Sequence, residues 1–307
     1  MARCFVTREL PGTALDRLRD AHEVTVWDGD GPIPADRLRA GAAQAEGLLS
    51  MLTDPIDAEL LDACPDLRAI ANYAVGYDNI DLAAAAARGI AVGNTPDVLT
   101  GATADLAFAL LLAAARGLPS AEAAVRAGRW RTWEPAGYLG REIHGATLGI
   151  IGMGRIGRAV AQRAAGFDME VIHTGRDGLP LLQLLHRADF VSLHCPLTPE
   201  THHLIDAAAL RAMKPTAILI NTARGAIVDP QALREALVTG EIAGAALDVT
   251  EPEPLPVDDP LLTAPNLIVV PHIGSATTQT RARMADLAVE NLLAALAGAP
   301  MPHPVQA

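Results

Sequence analysis

In the C-terminal half of the chain, polar residues stand just after short apolar runs, and their types suit proton-coupled hydride transfer. Arg224 lies in Asn221-Thr222-Ala223-Arg224-Gly225, after the run 217–220. Asp248 follows the run 244–247, with Glu251 and Glu253 in the Pro-rich loop beyond it. His272 follows the run 267–270 and Pro271, and leads into Ile273-Gly274-Ser275. Reduction of a 2-oxo acid leaves negative charge on the former carbonyl oxygen. A protonated imidazole can supply the proton, and a guanidinium can polarise the carbonyl or hold the carboxylate in a fork. A carboxylate beside the histidine, from Glu251 or Glu253, keeps the ring protonated and oriented. Taken singly, each residue has a structural explanation: a hydrogen-bonded histidine, a surface arginine, a solvated glutamate. Their joint occurrence at successive strand ends points to chemistry.

A carrier for the hydride is implied upstream. Gly152-Met153-Gly154-Arg155-Ile156-Gly157 follows an apolar strand and opens an Ala-rich helix. The first glycine permits the tight turn, the second lets backbone approach a pyrophosphate, and the third lets helix and strand pack closely. The helix N-terminus then offers N–H groups to the anion. NAD-binding versions of this unit end the next strand in Asp or Glu. Here it ends His173-Thr174-Gly175-Arg176. Arg176 can pair with a ribose 2′-phosphate and Gly175 leaves room for it. NADP(H) is therefore the expected preference, with NAD(H) open if Asp177 takes the acid's role. No metal site is expected: His202 and His203 are consecutive and should point apart, and no HxxxH or CxxC spacing accompanies them.

These residues must be positioned by a parallel sheet. From about residue 147 the runs 148–151, 170–173, 190–193, 217–220, 244–247 and 267–270 are short and mostly apolar, and helical patterns separate most of them. That alternation means strands buried on both faces, in a doubly wound dinucleotide fold. Upstream, strands at 4–6, 24–27, 47–49, 69–71 and 90–92, with a helix over 10–21, form a smaller α/β unit. A long helix over 100–116 ends at Gly117, and the Trp-bearing stretch 129–135 reads as a loop. A final helix over 282–297 should pack back on the first unit. The expected architecture is α/β in two domains, each a parallel sheet flanked by helices. A Rossmann cofactor domain, 99–283, is inserted into a smaller flavodoxin-like substrate domain, 1–98 plus 284–307.

Bulk properties agree. A chain of 307 residues exceeds one typical core. A formal net charge of −12 argues against nucleic acid or an anionic membrane as partner. No apolar run is long enough for a membrane span, and the N-terminus has no apolar signal-peptide core. Three scattered cysteines suit reduced thiols in a cytoplasmic protein.

With these motifs in view, the chain resembles the D-isomer-specific 2-hydroxyacid dehydrogenase family over essentially its whole length. The resemblance rests on the segments 72–81, 94–100, 147–157, 194–198, 221–225, 246–249 with Glu253-Pro254, and 271–275. It implies Arg224 as the substrate-binding and polarising arginine, His272 as acid/base and Glu253, rather than Glu251, as its partner. It implies that the Val75 and Gly76 amides cradle the substrate carboxylate. Thr103, Pro196, Thr222, Ala223, Asp248 and Gly274 match positions that line the cofactor. Within the family the chain is most similar to glyoxylate/hydroxypyruvate reductases, with Thr174-Gly175-Arg176 similar to the NADPH-preferring members. Trp133 resembles a tryptophan that the partner subunit lends to the active site, which implies a homodimer through the arm 118–146. Side chains near Met51, Leu52 and Trp133 would then set substrate size. The leading expectation is NADPH-dependent reduction of glyoxylate and hydroxypyruvate. Two others stand beside it: an NADH-dependent dehydrogenase for a different or larger 2-oxo acid, and a non-catalytic nucleotide-sensing protein. The intact Arg224, Glu253 and His272 set disfavours the last.

Overall fold

A computed structural model describes residues 1–175 and 177–305 of the chain. It divides into two units: Met1–Leu99 with Ala276–Ala307, and Thr100–Ser275.

In the first unit, β1 (Arg3–Val6), α1 (Ala14–Ala21), β2 (Glu23–Val26), α2 (Ala35–Ala42), β3 (Gly47–Ser50), α3 (Ala58–Asp62), β4 (Ala69–Asn72), α4 (Leu82–Ala87) and β5 (Ala91–Gly93) alternate. The strands form one parallel sheet of order β2-β1-β3-β4-β5, the flavodoxin-like order. Successive side chains leave a strand on opposite faces. Cys4, Val6, Leu49, Ala69 and Ala71 accordingly pack with the helix α1, while Phe5, Leu48 and Ile70 pack with α2, α3 and α4. The first helix starts at Ala14, not at residue 10, because Gly12 adopts φ +85° and breaks the turn before it.

The second unit opens with α5 (Thr100–Ala115) and α6 (Leu118–Arg126). Then follow β6 (Thr147–Ile151), α7 (Arg155–Ala164), β7 (Glu170–His173), α8 (Leu181–Arg187), β8 (Phe190–Leu193), α9 (Ala207–Ala212), β9 (Ile218–Asn221), α10 (Pro230–Thr239), β10 (Gly244–Leu247) and β11 (Leu267–Val269). All six strands are parallel, in the order β11-β10-β9-β8-β6-β7. Leu148, Ile150, Ile218 and Ile220 pack with α5 and α7; Val191, Leu193, Leu219 and Leu247 pack with α8, α9 and α10. The strand order reverses at β6, between β7 and β8, so the crevice at the carboxyl end of β6 is the switch point where such sheets bind ligands.

The last helix, α11 (Thr278–Leu296), belongs to the first unit. A boundary at 283/284 would cut it. Its first turn is already engaged there: Tyr73 Oη donates to the Arg281 carbonyl at 2.6 Å, and Ala282 lies against Gly12. No single helix among the described residues is long and apolar enough to cross a membrane.

Candidate functional site

At the end of β6 the backbone, rather than side chains, sets the geometry. Gly152 adopts φ +99°, and a Cβ there would lie 2.4 Å from the Cys195 amide nitrogen. A Cβ on Gly157 would lie 2.3 Å from the Gly152 carbonyl oxygen. A Cβ on Gly154 would meet nothing within 4 Å. The first and third glycines are therefore required by packing, and the second faces open space. Helix α7 begins at Arg155 with no side-chain cap from Gly154, so its first N–H groups are presented to that space. Ile156 packs on the core below. This shape fits a dinucleotide pyrophosphate. Beyond β7, Thr174 is half-buried and Gly175 exposed at φ +110°. Arg176, on which the NADP(H) expectation rests, lies outside the described residues.

The ends of β9, β10 and β11 are built from side-chain bonds. Asn221 Nδ2 donates to the Arg224 carbonyl at 2.8 Å and its Oδ1 accepts from the Ala223 amide at 3.0 Å, which shapes the turn carrying Arg224. Thr222 is buried, and its hydroxyl has no partner among the described residues. Asp248, 2% exposed, accepts from the Ile273 amide at 2.6 Å and the Gly274 amide at 2.8 Å. Thr103 Oγ1 donates to the Gly274 carbonyl at 3.3 Å. His272 sits in this clamp at φ +50°, a left-handed conformation uncommon for a residue with a Cβ, with its amide donating to the Asp248 carbonyl at 2.9 Å.

The clamp aims the His272 ring: Nδ1 lies 2.6 Å from Glu253 Oε1, with the two side chains 26% and 30% exposed. Burial pushes the Glu253 carboxyl up, but the hydrogen bond and charge of His272 outweigh it, and the Arg224 charge adds to them, so its pKa falls below the usual range. An ionised carboxylate only accepts. Nδ1 therefore carries the shared hydrogen, and Nε2 is the ring position left for proton transfer. For Asp248 burial prevails over the two amides and the His272 charge, and its pKa rises. Of the two glutamates in this loop, the structure joins Glu253 to His272; Glu251 faces His203 at 2.7 Å.

In the first unit, polar side chains tie the carboxyl ends of β3 and β4. Asp54 accepts from the Met51 amide at 2.7 Å, and Asn79 Nδ2 donates to the Met51 carbonyl at 3.1 Å, fixing the turn that holds Leu52. Asn72 Nδ2 donates to the Gly76 carbonyl at 2.9 Å and Asn94 Nδ2 to the Val75 carbonyl at 2.8 Å. In a trans peptide, the Gly76 N–H then points away from the bonded Val75 carbonyl.

The sequence assigns no role of their own to several supporting residues. Asn79 and Asn94, inside motif segments, hold the distant Met51 and Val75 carbonyls, and Asp54 holds the nearby Met51 amide. His194 is another: burial pushes its pKa down to about 4, Ser192 lies 2.8 Å from its Nε2, and its backbone closes on Gly152. Pro196, at the same loop, is exposed and its carbonyl accepts from Thr201. Trp133 is 78% exposed in an irregular segment after α6. His202 and His203 do not point apart; their rings stack with centroids 4.0 Å apart. The expectation failed because His203 takes φ +49°, which turns the second side chain back over the first.

Residues 108–274 match the family described as D-isomer specific 2-hydroxyacid dehydrogenase, NAD binding domain. The chain is 50% identical over 305 residues to a glyoxylate reductase of Korarchaeum cryptofilum, covering 95% of this chain and 92% of that protein. A crystal structure of a Thermus thermophilus protein superposes with a TM-score of 0.94 at 53% identity, covering 99% of each chain. An NADPH-dependent glyoxylate/hydroxypyruvate reductase from Sinorhizobium meliloti, solved with NADP and malonate, gives a TM-score of 0.85 at 37% identity, covering 99% of this chain and 96% of that one.

Proposed function

The chain belongs to the D-isomer-specific 2-hydroxyacid dehydrogenase family, and from that premise we propose that it is an NADPH-preferring reductase of glyoxylate and hydroxypyruvate. That it is an NAD(P)-dependent oxidoreductase follows from the family itself. The observation that carries the mechanism is the 2.6 Å pair of His272 and Glu253, on the sheet that also bears the glycine turn.

The dinucleotide would lie on the backbone of Gly152, Gly154, Arg155, Ile156 and Gly157. Thr174, Gly175 and Arg176 would face the 2′-phosphate, and Thr103, Pro196, Thr222, Ala223, Asp248 and Gly274 would line the remainder. Bound there, it supplies the hydride. Arg224 would hold the 2-oxo acid and draw charge toward its carbonyl oxygen. His272 would deliver the proton from Nε2, while Glu253 favours the charged ring before transfer and holds its tautomer afterwards. In the first unit the Val75 and Gly76 amides would take the substrate carboxylate, and Leu52 would set substrate size. Exposed apolar side chains at Leu118, Val125, Trp130, Trp133, Tyr138 and Leu139 support a homodimer through 118–146, with Trp133 lent to the partner. Free thiols at Cys4, Cys64 and Cys195 fit a cytoplasmic enzyme.

The test is kcat/KM for glyoxylate, hydroxypyruvate and larger 2-oxo acids with NADPH and with NADH. Glyoxylate and hydroxypyruvate with NADPH should lead. Arg176→Ala should reduce the NADPH advantage by about tenfold to a hundredfold, the worth of one charge-assisted hydrogen bond. A clear NADH preference in the unmodified enzyme would remove the cofactor assignment. Dinucleotide binding without turnover of any 2-oxo acid would favour the non-catalytic reading.

A further inference from the structure

Away from the His272 pair, three side chains that the proposed reaction does not use converge. His203 Nε2 lies 2.7 Å from Glu251 Oε2, and His202 Nε2 lies 3.8 Å from Glu251 Oε1. The imidazoles stack at 28°, and one ligand atom from each of the three residues lies within 4.8 Å of the others. Consecutive histidines reach one carboxylate because His203 is left-handed, at φ +49°, held there by its amide donating to the Ala226 carbonyl at 2.8 Å. Both imidazoles thus present Nε2 to the same acid from adjacent positions on one loop.

We propose that His202, His203 and Glu251 form a site for a divalent transition-metal ion of the zinc class, which joins the loop after β8 to the loop after β10. Two imidazole nitrogens and one carboxylate oxygen are a donor set that zinc accepts with a position left open to water. Imidazole also selects zinc, nickel and copper over magnesium and calcium, which take oxygen ligands. With bonds of about 2.0–2.2 Å, neighbouring ligands of a tetrahedral ion stand about 3.4 Å apart. The two Nε2–carboxylate distances, one to each Glu251 oxygen, bracket that value. The side chains are 52%, 35% and 36% exposed, so His203 can open by about 0.7 Å and His202 close by about 0.4 Å to reach that spacing, and water can reach the ion. Glu251 precedes Glu253 by two residues, in a loop that Thr250 braces through Oγ1 to the Pro252 carbonyl at 2.8 Å. An ion here would hold the segment that carries the proposed partner of His272.

Isothermal titration of the chelator-treated full chain with Zn2+ tests this, with Co2+ as a visible-absorption probe. One Zn2+ should bind per chain at micromolar concentration and raise the thermal midpoint as its concentration rises. Mg2+ should not do so. His202→Ala and His203→Ala should each weaken binding by at least about tenfold and abolish the Co2+ band. His202 is the more exposed of the two, and its variant should retain the metal-free thermal midpoint of the parent. His272→Asn should bind Zn2+ like the parent. Absence of saturable binding, parent-like binding in both histidine variants, or loss of binding in His272→Asn would each overturn the proposal.

Discussion

The two ends of the six-stranded sheet solve their tasks by opposite means. At β6 and β7 the working surface is made by leaving side chains out: Gly152 and Gly157 are forced by backbone contacts, and Gly154 keeps a space open. At β9, β10 and β11 it is made by side chains that hold one another: Asn221 on the Arg224 turn, Asp248 on the Ile273 and Gly274 amides, Glu253 on His272. An anion cradle needs many weak donors at fixed positions, which backbone N–H groups supply. A proton-transfer site needs one ring with a defined tautomer, which only a specific partner can enforce. The first end should therefore be intolerant of added atoms, and the second of lost ones.

The largest expected effect breaks the second end alone. His272→Ala should lower kcat by about 10²–10⁴-fold, the usual worth of a positioned acid/base. Dinucleotide binding, followed by NADPH fluorescence, should be retained because the glycine turn is untouched. Near-normal turnover would remove His272 from the mechanism, and loss of dinucleotide binding would show that the two ends are not separable.

The carboxylates of that end should separate by the sign of their pH dependence. Glu253 has its pKa lowered in the fold from an ordinary 4.5. Its contribution to stability is present above 4.5 and is lost as pH falls through the lower, folded value. Asp248 has its pKa raised from an ordinary 3.8. Its contribution is present below 3.8 and is lost as pH rises through the higher, folded value. Thermal midpoints measured from pH 7 downwards should then show the gap between parent and Glu253→Gln closing with acid. Over the same range the parent should gain stability relative to Asp248→Asn. Parallel behaviour of the two variants would mean that Asp248 is not held against its burial as described.

Much of this contrast was legible in the chain, and the remainder has a common physical cause. Continuous short apolar runs identify strands buried on both faces, so β8 and β10 begin and end where the pattern places them, as does the less buried edge strand β7. The glycine spacing was readable because each glycine answers a local need. What escaped were conformations set by distant contacts. Nothing local marks His272 or His203 as left-handed; the first depends on Asp248 and the second on Ala226. The stacking of His202 on His203 follows from that single dihedral, against the ordinary divergence of neighbouring side chains. The amides of Asn72, Asn79 and Asn94 were visible as motif residues, yet the turns they hold become apparent only once β3, β4 and β5 lie side by side.

The smallest effect tests the first end by adding one methyl group at two nearby positions. In Gly157→Ala the new carbon would stand 2.3 Å from the Gly152 carbonyl oxygen, so backbone must shift, at about 1–3 kcal/mol, and the thermal midpoint should fall. In Gly154→Ala the new carbon meets no protein atom within 4 Å, and φ of −76° suits alanine, so the midpoint should match the parent. The methyl group would instead stand where backbone must approach the pyrophosphate, raising the NADPH KM by about tenfold, equivalent to about 1.4 kcal/mol, with little change in kcat at saturation. A Gly154→Ala enzyme that binds NADPH like the parent would mean the open space above α7 is not the pyrophosphate cradle. A Gly154→Ala enzyme that unfolds early would mean that glycine serves the fold, and the contrast between a backbone-built end and a side-chain-built end would have to be drawn elsewhere.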